Sequence, residues 1–264
     1  MIRLEAGQAT DTGRRREKNE DSMLVTDRLF AVADGLGGHQ GGEVASALAV
    51  ATLAAEVDAA VAARSESRRR LGRARRDSDP PSPTVGELLE AMDRANQAIL
   101  SRASTDAALT GMATTLCVLA VVEDGPQEGL AVLNIGDSRV YRSDDRGFRQ
   151  LTHDHTVGQE MLRFGATQQE ADAHPESHQL SRVLGVEPTI AVEDWTLTPV
   201  CGDRYLLCSD GLTNMVTDRD IHAVLRLNQS PTAAAEALVQ VALAHGGKDN
   251  VTVVIVDVAD VGRP

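Results

Sequence analysis

The sequence predicts an α/β sandwich, with antiparallel sheets inside and helices layered outside, on three observations. Apolar strand-like runs follow one another through short turns, without the strand–helix–strand alternation of a doubly wound parallel sheet. The helical stretches come in consecutive pairs. Hydrophobic residues make up 42% of the 264 residues but aromatics only 2%, so the core must be built mainly from Val, Leu, Ile and Ala.

In chain order, Ile2 and Leu4 alternate like a short strand. The polar stretch to residue 22 reads either as a solvated loop or as an anion-binding arginine beside metal-facing acids. Strands are expected over 23–26 and 29–33, joined by a turn at Asp27-Arg28. A glycine-rich turn then leads into a long Ala/Val/Leu helix over 43–63. Residues 64–83 break the composition, with seven arginines against Glu66, Asp77 and Asp79, a local charge of +4. With Pro80, Pro81 and Pro83 this segment reads as a flexible insertion, a docking segment or a place where Ser78 is modified. A second helix is expected over 84–104, its core stripe being Leu88, Leu89, Met92, Ala95 and Ile99. A strand follows over 111–122, then a strand pair at 130–135 and 139–141 around Gly136-Asp137-Ser138. A polar, helix-rich stretch runs from 151 to about 184. Strands at 192–197 and 204–208, helices at 217–227 (Thr217 as N-cap) and 231–244, and a final apolar strand at 251–258 complete the chain.

The excess of 39 acidic over 26 basic residues, a net charge of −13, disfavours a nucleic-acid groove and is compatible with cation binding. Cys117, Cys201 and Cys208 show no CxxC spacing, and the first and last of them read as small core residues in a reducing compartment. No apolar signal segment opens the chain, and the apolar stretch 45–57 is short and flanked by acids. The expectation is a cytoplasmic, monomeric protein without membrane or nucleic-acid partners.

The chemistry centres on FAVADGLGGHQGGE at 30–43 and YLLCSDGL at 205–212. Each is an apolar strand delivering an Asp-Gly, Asp34-Gly35 or Asp210-Gly211, and glycine there permits a turn and a close backbone approach. If the two ends meet, their carboxylates repel unless a cation fills the gap. A phosphate-cradling loop is excluded, since no Lys-Ser/Thr follows the glycines and a GxGxxG match breaks at Gln40. Asp137 and Asp249 share the strand-boundary setting of Asp34 and Asp210, beside Gly or Asn. Acids with backbone carbonyls and no Cys or His suit Mg²⁺ or Mn²⁺, not Zn²⁺. Two such ions ~3.5–4 Å apart activate water and clamp a phosphoryl group, with arginine as the partner of the phosphate oxygens.

Seven segments together resemble the metal-dependent protein serine/threonine phosphatases, the PPM or type 2C family, in their bacterial form. They are TGRRREKNED (12–21), FAVADGLGGHQGGEVAS (30–46), GMATTL (111–116), NIGDSRVY (134–141), LTHDHT (151–156), YLLCSDGLTNMV (205–216) and GKDNVTVVIV (247–256). The resemblance implies a four-layer α-β-β-α sandwich, two central antiparallel sheets flanked by helices. It implies one catalytic domain over 1–260, with 64–83 as an insertion. It implies hydrolysis of phosphoserine and phosphothreonine in proteins, opposing serine/threonine kinases, with two Mn²⁺ or Mg²⁺ ions and a third, weaker position.

By the same resemblance Asp34 bridges both ions and Gly35 offers a carbonyl, while Asp210 and Asp249 are direct ligands. Asp137, with Asp210, forms the third position. Asp21 acts through water, Glu20 stands at the edge of the site, and Arg16 binds phosphate. Residues 156–184 correspond to a flap beside the site. One departure is Leu36, standing where animal-type members carry a histidine as candidate general acid. That role is not transferred to His39, and His39, His153 and His155 read as local hydrogen-bonders. Two other readings share these residues: a non-catalytic phosphoprotein binder, which should have lost a metal acid, and a small-molecule phosphatase.

Overall fold

A strand buried on both faces needs a separate core on each side, and that requirement sets the layers here. The structure, a computed structural model, describes residues 2–37, 41–70, 82–125 and 127–261, apart from the side chains at 68 and 69. The elements run β1 (Arg3–Asp11), β2 (Asp21–Val25), β3 (Leu29–Leu36), α1 (Gly41–Arg70), α2 (Val85–Thr105), β4 (Ala113–Thr114), β5 (Leu116–Asp124), β6 (Gln127–Ile135), β7 (Arg139–Asp144) and β8 (Gly147–Gln150). They continue with α3 (Val157–Arg163), α4 (Gln168–Ala173), β9 (Glu193–Leu197), β10 (Arg204–Cys208), α5 (Asp210–Thr213), α6 (Asp218–Leu227), α7 (Pro231–Ala244) and β11 (Val251–Asp260).

One sheet has the order β1-β11-β10-β7-β8 and the other β2-β3-β5-β6-β9, with β4 added to β3; every pairing is antiparallel. Side-chain alternation divides each strand between two cores. Phe30 and Val32 of β3 meet Tyr205 and Leu207 of β10 between the sheets. Ala31 and Ala33 turn the other way, onto Ala45, Ala49 and Leu53 of α1 and Met92 and Ile99 of α2. Leu206 and Cys208 face Ile221 of α6 and Leu238 of α7. The four layers expected from the sequence are therefore present.

The structure corrects several local expectations. The opening strand does not stop near Leu4 but runs to Asp11, paired along its length with β11. The segments 130–135 and 139–141 are not a strand pair: β6 and β7 lie in different sheets, and Gly136-Asp137-Ser138 is the crossing between them. The true partner of β7 includes β8, which its plain sequence, GFRQ, did not reveal. The segment read as flexible from residue 64 is helical over its first seven residues. α1 continues to Arg70, and Arg64 pairs with Glu87 (3.2 Å) and Glu123 (3.3 Å). Residues 71–81, including Ser78 and the prolines at 80 and 81, lie outside the described residues. The apolar stretch of α1 is also longer than 45–57. Gly41–Ser67 has the length and composition to cross a membrane, and a third of its most apolar window is buried inside the fold.

Capping fixes the start of α6 at Thr217 as the sequence implied, and the start of α2 by a box that the sequence reading did not name. Thr84 and Glu87 form a reciprocal capping box at α2, and Thr217 accepts from the Asp220 N–H at α6.

Candidate active site

The site lies where strand ends of the two sheets meet. The β2–β3 register places Asp21 opposite Asp34, so two carboxylates are neighbours across one ladder. The Asp34 backbone is clamped on both sides. Its N–H donates to Thr115 Oγ1 (2.9 Å), and its carbonyl accepts from the Thr115 N–H (2.9 Å) and from Thr114 Oγ1 (2.8 Å). A hydroxyl from the other sheet closes the junction: Ser209 Oγ donates to Asp21 Oδ2 at 2.7 Å and accepts from the Thr252 N–H at 3.0 Å.

Asp210 opens α5 directly after β10, and Asn214 Nδ2 donates to its Oδ2 at 2.9 Å. A Cβ on Gly211 would come within 1.9 Å of the Asn250 carbonyl, so only glycine lets this turn lie against the segment carrying Asp249. Gly35 is constrained in the same way, because a Cβ there would meet the Gly42 carbonyl oxygen at 2.2 Å and the Glu20 carbonyl oxygen at 2.5 Å. Asp137 sits in the crossing between the sheets, beside Gly136 at φ 106°.

The electrostatics follow from burial and like charge. Burial, then the charges of Asp21, Asp210, Asp137 and Asp249, holds the Asp34 carboxyl well above the usual carboxylate range. Asp210 is raised by burial and by Asp249, and lies within hydrogen-bonding reach of Asp34. Asp21 is pushed up to about 6 by burial, against the hydrogen bonds it accepts. Asp137 is pushed up to about 7 by burial, Asp210 and Asp154. Glu20 is raised by burial, with Arg16 opposing.

These residues fit divalent cations. All the donors are oxygen, the carboxylates repel one another, and Asp21 Oδ1 is buried with no hydrogen-bond partner. Among the described residues no three Asp, Glu, His or Cys side chains close tightly enough to grip an ion unaided; the acids ring the site without closing on it.

The structure thus brings Asp21, Asp34, Asp137, Asp210 and Asp249 to one place, with Glu20 and Arg16 at its border. Arg16 Nη2 donates to Asp249 Oδ2 at 2.6 Å, and that bond is the main reason its guanidinium holds its proton more tightly than usual. The loop carrying it is pinned by the Arg14 N–H on the Gly247 carbonyl (2.7 Å) and by Arg14 Nε on the Leu243 carbonyl (3.0 Å). A cavity of about 370 Å³ opens beside Asp137 and Asp210, roofed by α3 and α4 through Gln159, Leu162 and Ala171. His155 is buried and its Nδ1 accepts from the Gly136 N–H at 3.1 Å, a local role as expected, while His39 lies outside the described residues.

Sequence reasoning missed the residues that hold the acids. Asn250 Oδ1 accepts from the Glu20 N–H (2.8 Å), and its Nδ2 donates to the carbonyls of Thr12 (2.9 Å) and Lys18 (2.8 Å). Thr115, Ser138 and Ser209 act similarly, and Arg139 grips Asp154 through Nε and Nη2. Each stands inside one of the seven segments, next to or near an acid.

The protein phosphatase 2C family profile matches residues 13–244. The serine/threonine protein phosphatase PstP of Mycobacterium tuberculosis is 39% identical over 255 residues, which cover 95% of this chain and 44% of that protein. The chain therefore spans less than half the length of this relative. The serine/threonine phosphatase stp of Listeria monocytogenes is 34% identical over 257 residues, covering 94% of this chain and 93% of its own. Among solved structures, the catalytic domain of PstP in complex with two manganese ions superposes with a TM-score of 0.78 at 35% identity, covering 98% of this chain and all of that one. On profile, sequence and fold alike, this chain belongs to the protein phosphatase 2C family.

Proposed function

We propose that this chain hydrolyses phosphoserine and phosphothreonine monoesters in proteins, with Mn²⁺ or Mg²⁺ bound by Asp34, Asp210 and Asp249. The observation that carries the reading is the convergence of acids from both sheets on Asp34, with Arg16 at their border. Asp34 is central because all four other aspartates act on it, and Asp137 with Asp210 supplies a third, weaker position. The Gly35 carbonyl would join Asp34 in holding the metal, Asp21 would act through water, and Glu20 would stand at the edge of the site.

Divalent cations bound here supply the Lewis acidity and neutralising charge that phosphoryl transfer to water requires. The chain's own part is positional. Thr114 and Thr115 fix the Asp34 backbone, so its carboxylate does not reorganise as charge develops. The half-exposed Arg16 guanidinium keeps further N–H donors beside Asp249, suited to phosphate oxygens in pairs. The helices α3 and α4, which line the cavity beside Asp137, are placed to limit water around a bound ester.

We read residues 1–260 as one catalytic domain acting as a monomer in the cytoplasm, on the substrates of a serine/threonine kinase and without nucleic acid or membrane. Hydrolysis of a phosphothreonine peptide with Mn²⁺, with chelator, and with Asp34→Asn tests the site. Activity that disappears in the last two cases, with the variant still folded, is the expected result. Turnover like wild type in Asp34→Asn would refute the assignment. Faster turnover of free phosphometabolites than of phosphopeptides would redirect the substrate class.

A further inference from the structure

The flap helix α3 is thinly packed: its first turn is held by the Val157 and Gly158 N–H groups on the carbonyls of Gln179 and Ser177 (both 2.9 Å), and its remaining long-range ties are ionic. Gly158 is its one buried residue, and Phe164, just past its end, is 88% exposed. Between α3 and β9 lies a cavity of about 320 Å³ lined by Gln159, Arg163, Glu193 and Trp195. What spans that gap is an ion-pair cluster centred on Glu193, the first residue of the edge strand β9. Its Oε1 stands 3.5 Å from Arg163 Nη1 and 3.7 Å from Arg182 Nη1. Its Oε2 stands 3.2 Å from His153 Nδ1 and 3.6 Å from His155 Nε2. Arg182 turns its other nitrogen to Glu160 of α3 at 2.5 Å.

The cluster reaches the acids through His155. Because Nδ1 of His155 accepts from the Gly136 N–H, its neutral form carries the proton on Nε2, the nitrogen that faces Glu193. The His155 backbone N–H in turn donates to the Gly136 carbonyl at 3.0 Å. Gly136 precedes Asp137. In the β6–β9 ladder Glu193 lies opposite Asn134, whose Nδ2 also donates to the Gly136 carbonyl (3.2 Å). One carboxylate therefore pairs with the roof helix through Arg163 and reaches the loop that carries Asp137 indirectly, through His155.

We infer that Glu193 is a positioning residue: it seats α3 over the acidic site and ties that seat to the Gly136–Asp137 loop, so that binding of a phosphoprotein depends on it. This rests on the proposed phosphatase reading for its substrate and on geometry alone for the flap. An ion pair whose carboxylate is one-fifth exposed and whose arginine is 60% exposed is strong enough to choose a position and weak enough to let the helix move when substrate enters.

The test has two arms. Hydrogen exchange of the metal-loaded protein reads the flap directly and needs no activity. Glu193→Gln should lose about tenfold of amide protection across 157–166, Arg163→Gln should lose part of it, and Glu193→Asp should retain most. Steady-state kinetics on a phosphothreonine peptide should show KM raised about fivefold to tenfold in Glu193→Gln, with kcat changed less than about threefold. Unchanged protection across 157–166 overturns the inference even if the protein proves to be no phosphatase. Lost protection with an unchanged KM overturns the link to substrate binding. A protein inactive in every form but with the flap loosened would sink the functional reading and leave the anchor standing.

Discussion

Arg16 Nη2 and Asp249 Oδ2 lie 2.6 Å apart, so the cation that the family pattern gives to the substrate phosphate here answers the charge of an acid in the site. Both side chains are partly exposed, which keeps the pair weak enough to be exchanged. Arg16→Ala should lower kcat/KM on phosphopeptides by about 10–100-fold and raise the inhibition constant of inorganic phosphate. Arg16→Lys keeps the charge but loses the planar fork, and should recover only part of the loss. Equal phosphate inhibition in wild type and Arg16→Ala would remove Arg16 from phosphate binding.

The raised acids make a prediction about pH. Asp21 and Asp137 are lifted by burial and neighbouring charge to about 6 and about 7 from an ordinary 3.8, and Asp34 and Asp210 move the same way. Between about pH 4 and 7 the folded chain therefore holds more protons than the unfolded one. The stability so gained is complete below pH 4 and is lost as pH rises through 6 to 7. In chelator, these groups should make Tm fall between pH 5 and pH 8 by on the order of 5 °C. Saturating Mn²⁺ should raise Tm at pH 8 and flatten the slope, because bound cations replace the protons. Thermal scans at both pH values, with and without metal, decide it. A Tm in chelator that rises with pH would contradict the carboxylate cluster.

The layers were legible in the sequence because buried strands and amphipathic helices differ in period, and the acids were legible because each follows an apolar strand and adjoins a turn residue. The crossing at Gly136–Ser138 was not. Nothing local distinguishes a turn within a hairpin from a step between sheets, and Asp137 faces the other acids only because it is the latter. Asn250 was passed over for a related reason. Its three partners lie more than 200 residues away in sequence, and a polar residue next to an acid looks like an ordinary turn.

Asn250 can be tested on its own. It is 5% exposed and ties Glu20, Thr12 and Lys18 to the start of β11. Asn250→Ala leaves an N–H and two carbonyls without partners and should destabilise the fold by about 2–4 kcal/mol, lowering Tm by about 5–10 °C. Asn250→Asp keeps one acceptor but removes both donors and adds charge beside Asp249, so it should be no better than alanine in metal-free protein. Denaturant melts of both variants measure this, and a loss below about 0.5 kcal/mol for Asn250→Ala would show the amide to be dispensable.

Thr115 offers a sharper separation of hydroxyl from shape. Its Oγ1 accepts from the Asp34 N–H and lies 2.7 Å from Ser138 Oγ, and its Cγ2 packs where a Cβ on Gly136 would stand, 2.5 Å away. One buried side chain therefore joins the strand end of Asp34 to the loop of Asp137 by both polar and apolar contact. Thr115→Val preserves the volume and strands the Asp34 N–H and the Ser138 hydroxyl, and should be destabilised by about 2–4 kcal/mol. Thr115→Ser keeps the hydroxyl, loses one methyl, and should be destabilised by about 1 kcal/mol. Mn²⁺ affinity by calorimetry should follow the same order, because both changes act on the spacing of Asp34 and Asp137 before any ion binds. If Thr115→Val bound Mn²⁺ as wild type does while Thr115→Ser did not, packing against Gly136, and not the hydroxyl bridge, would be what sets the distance between the two acids.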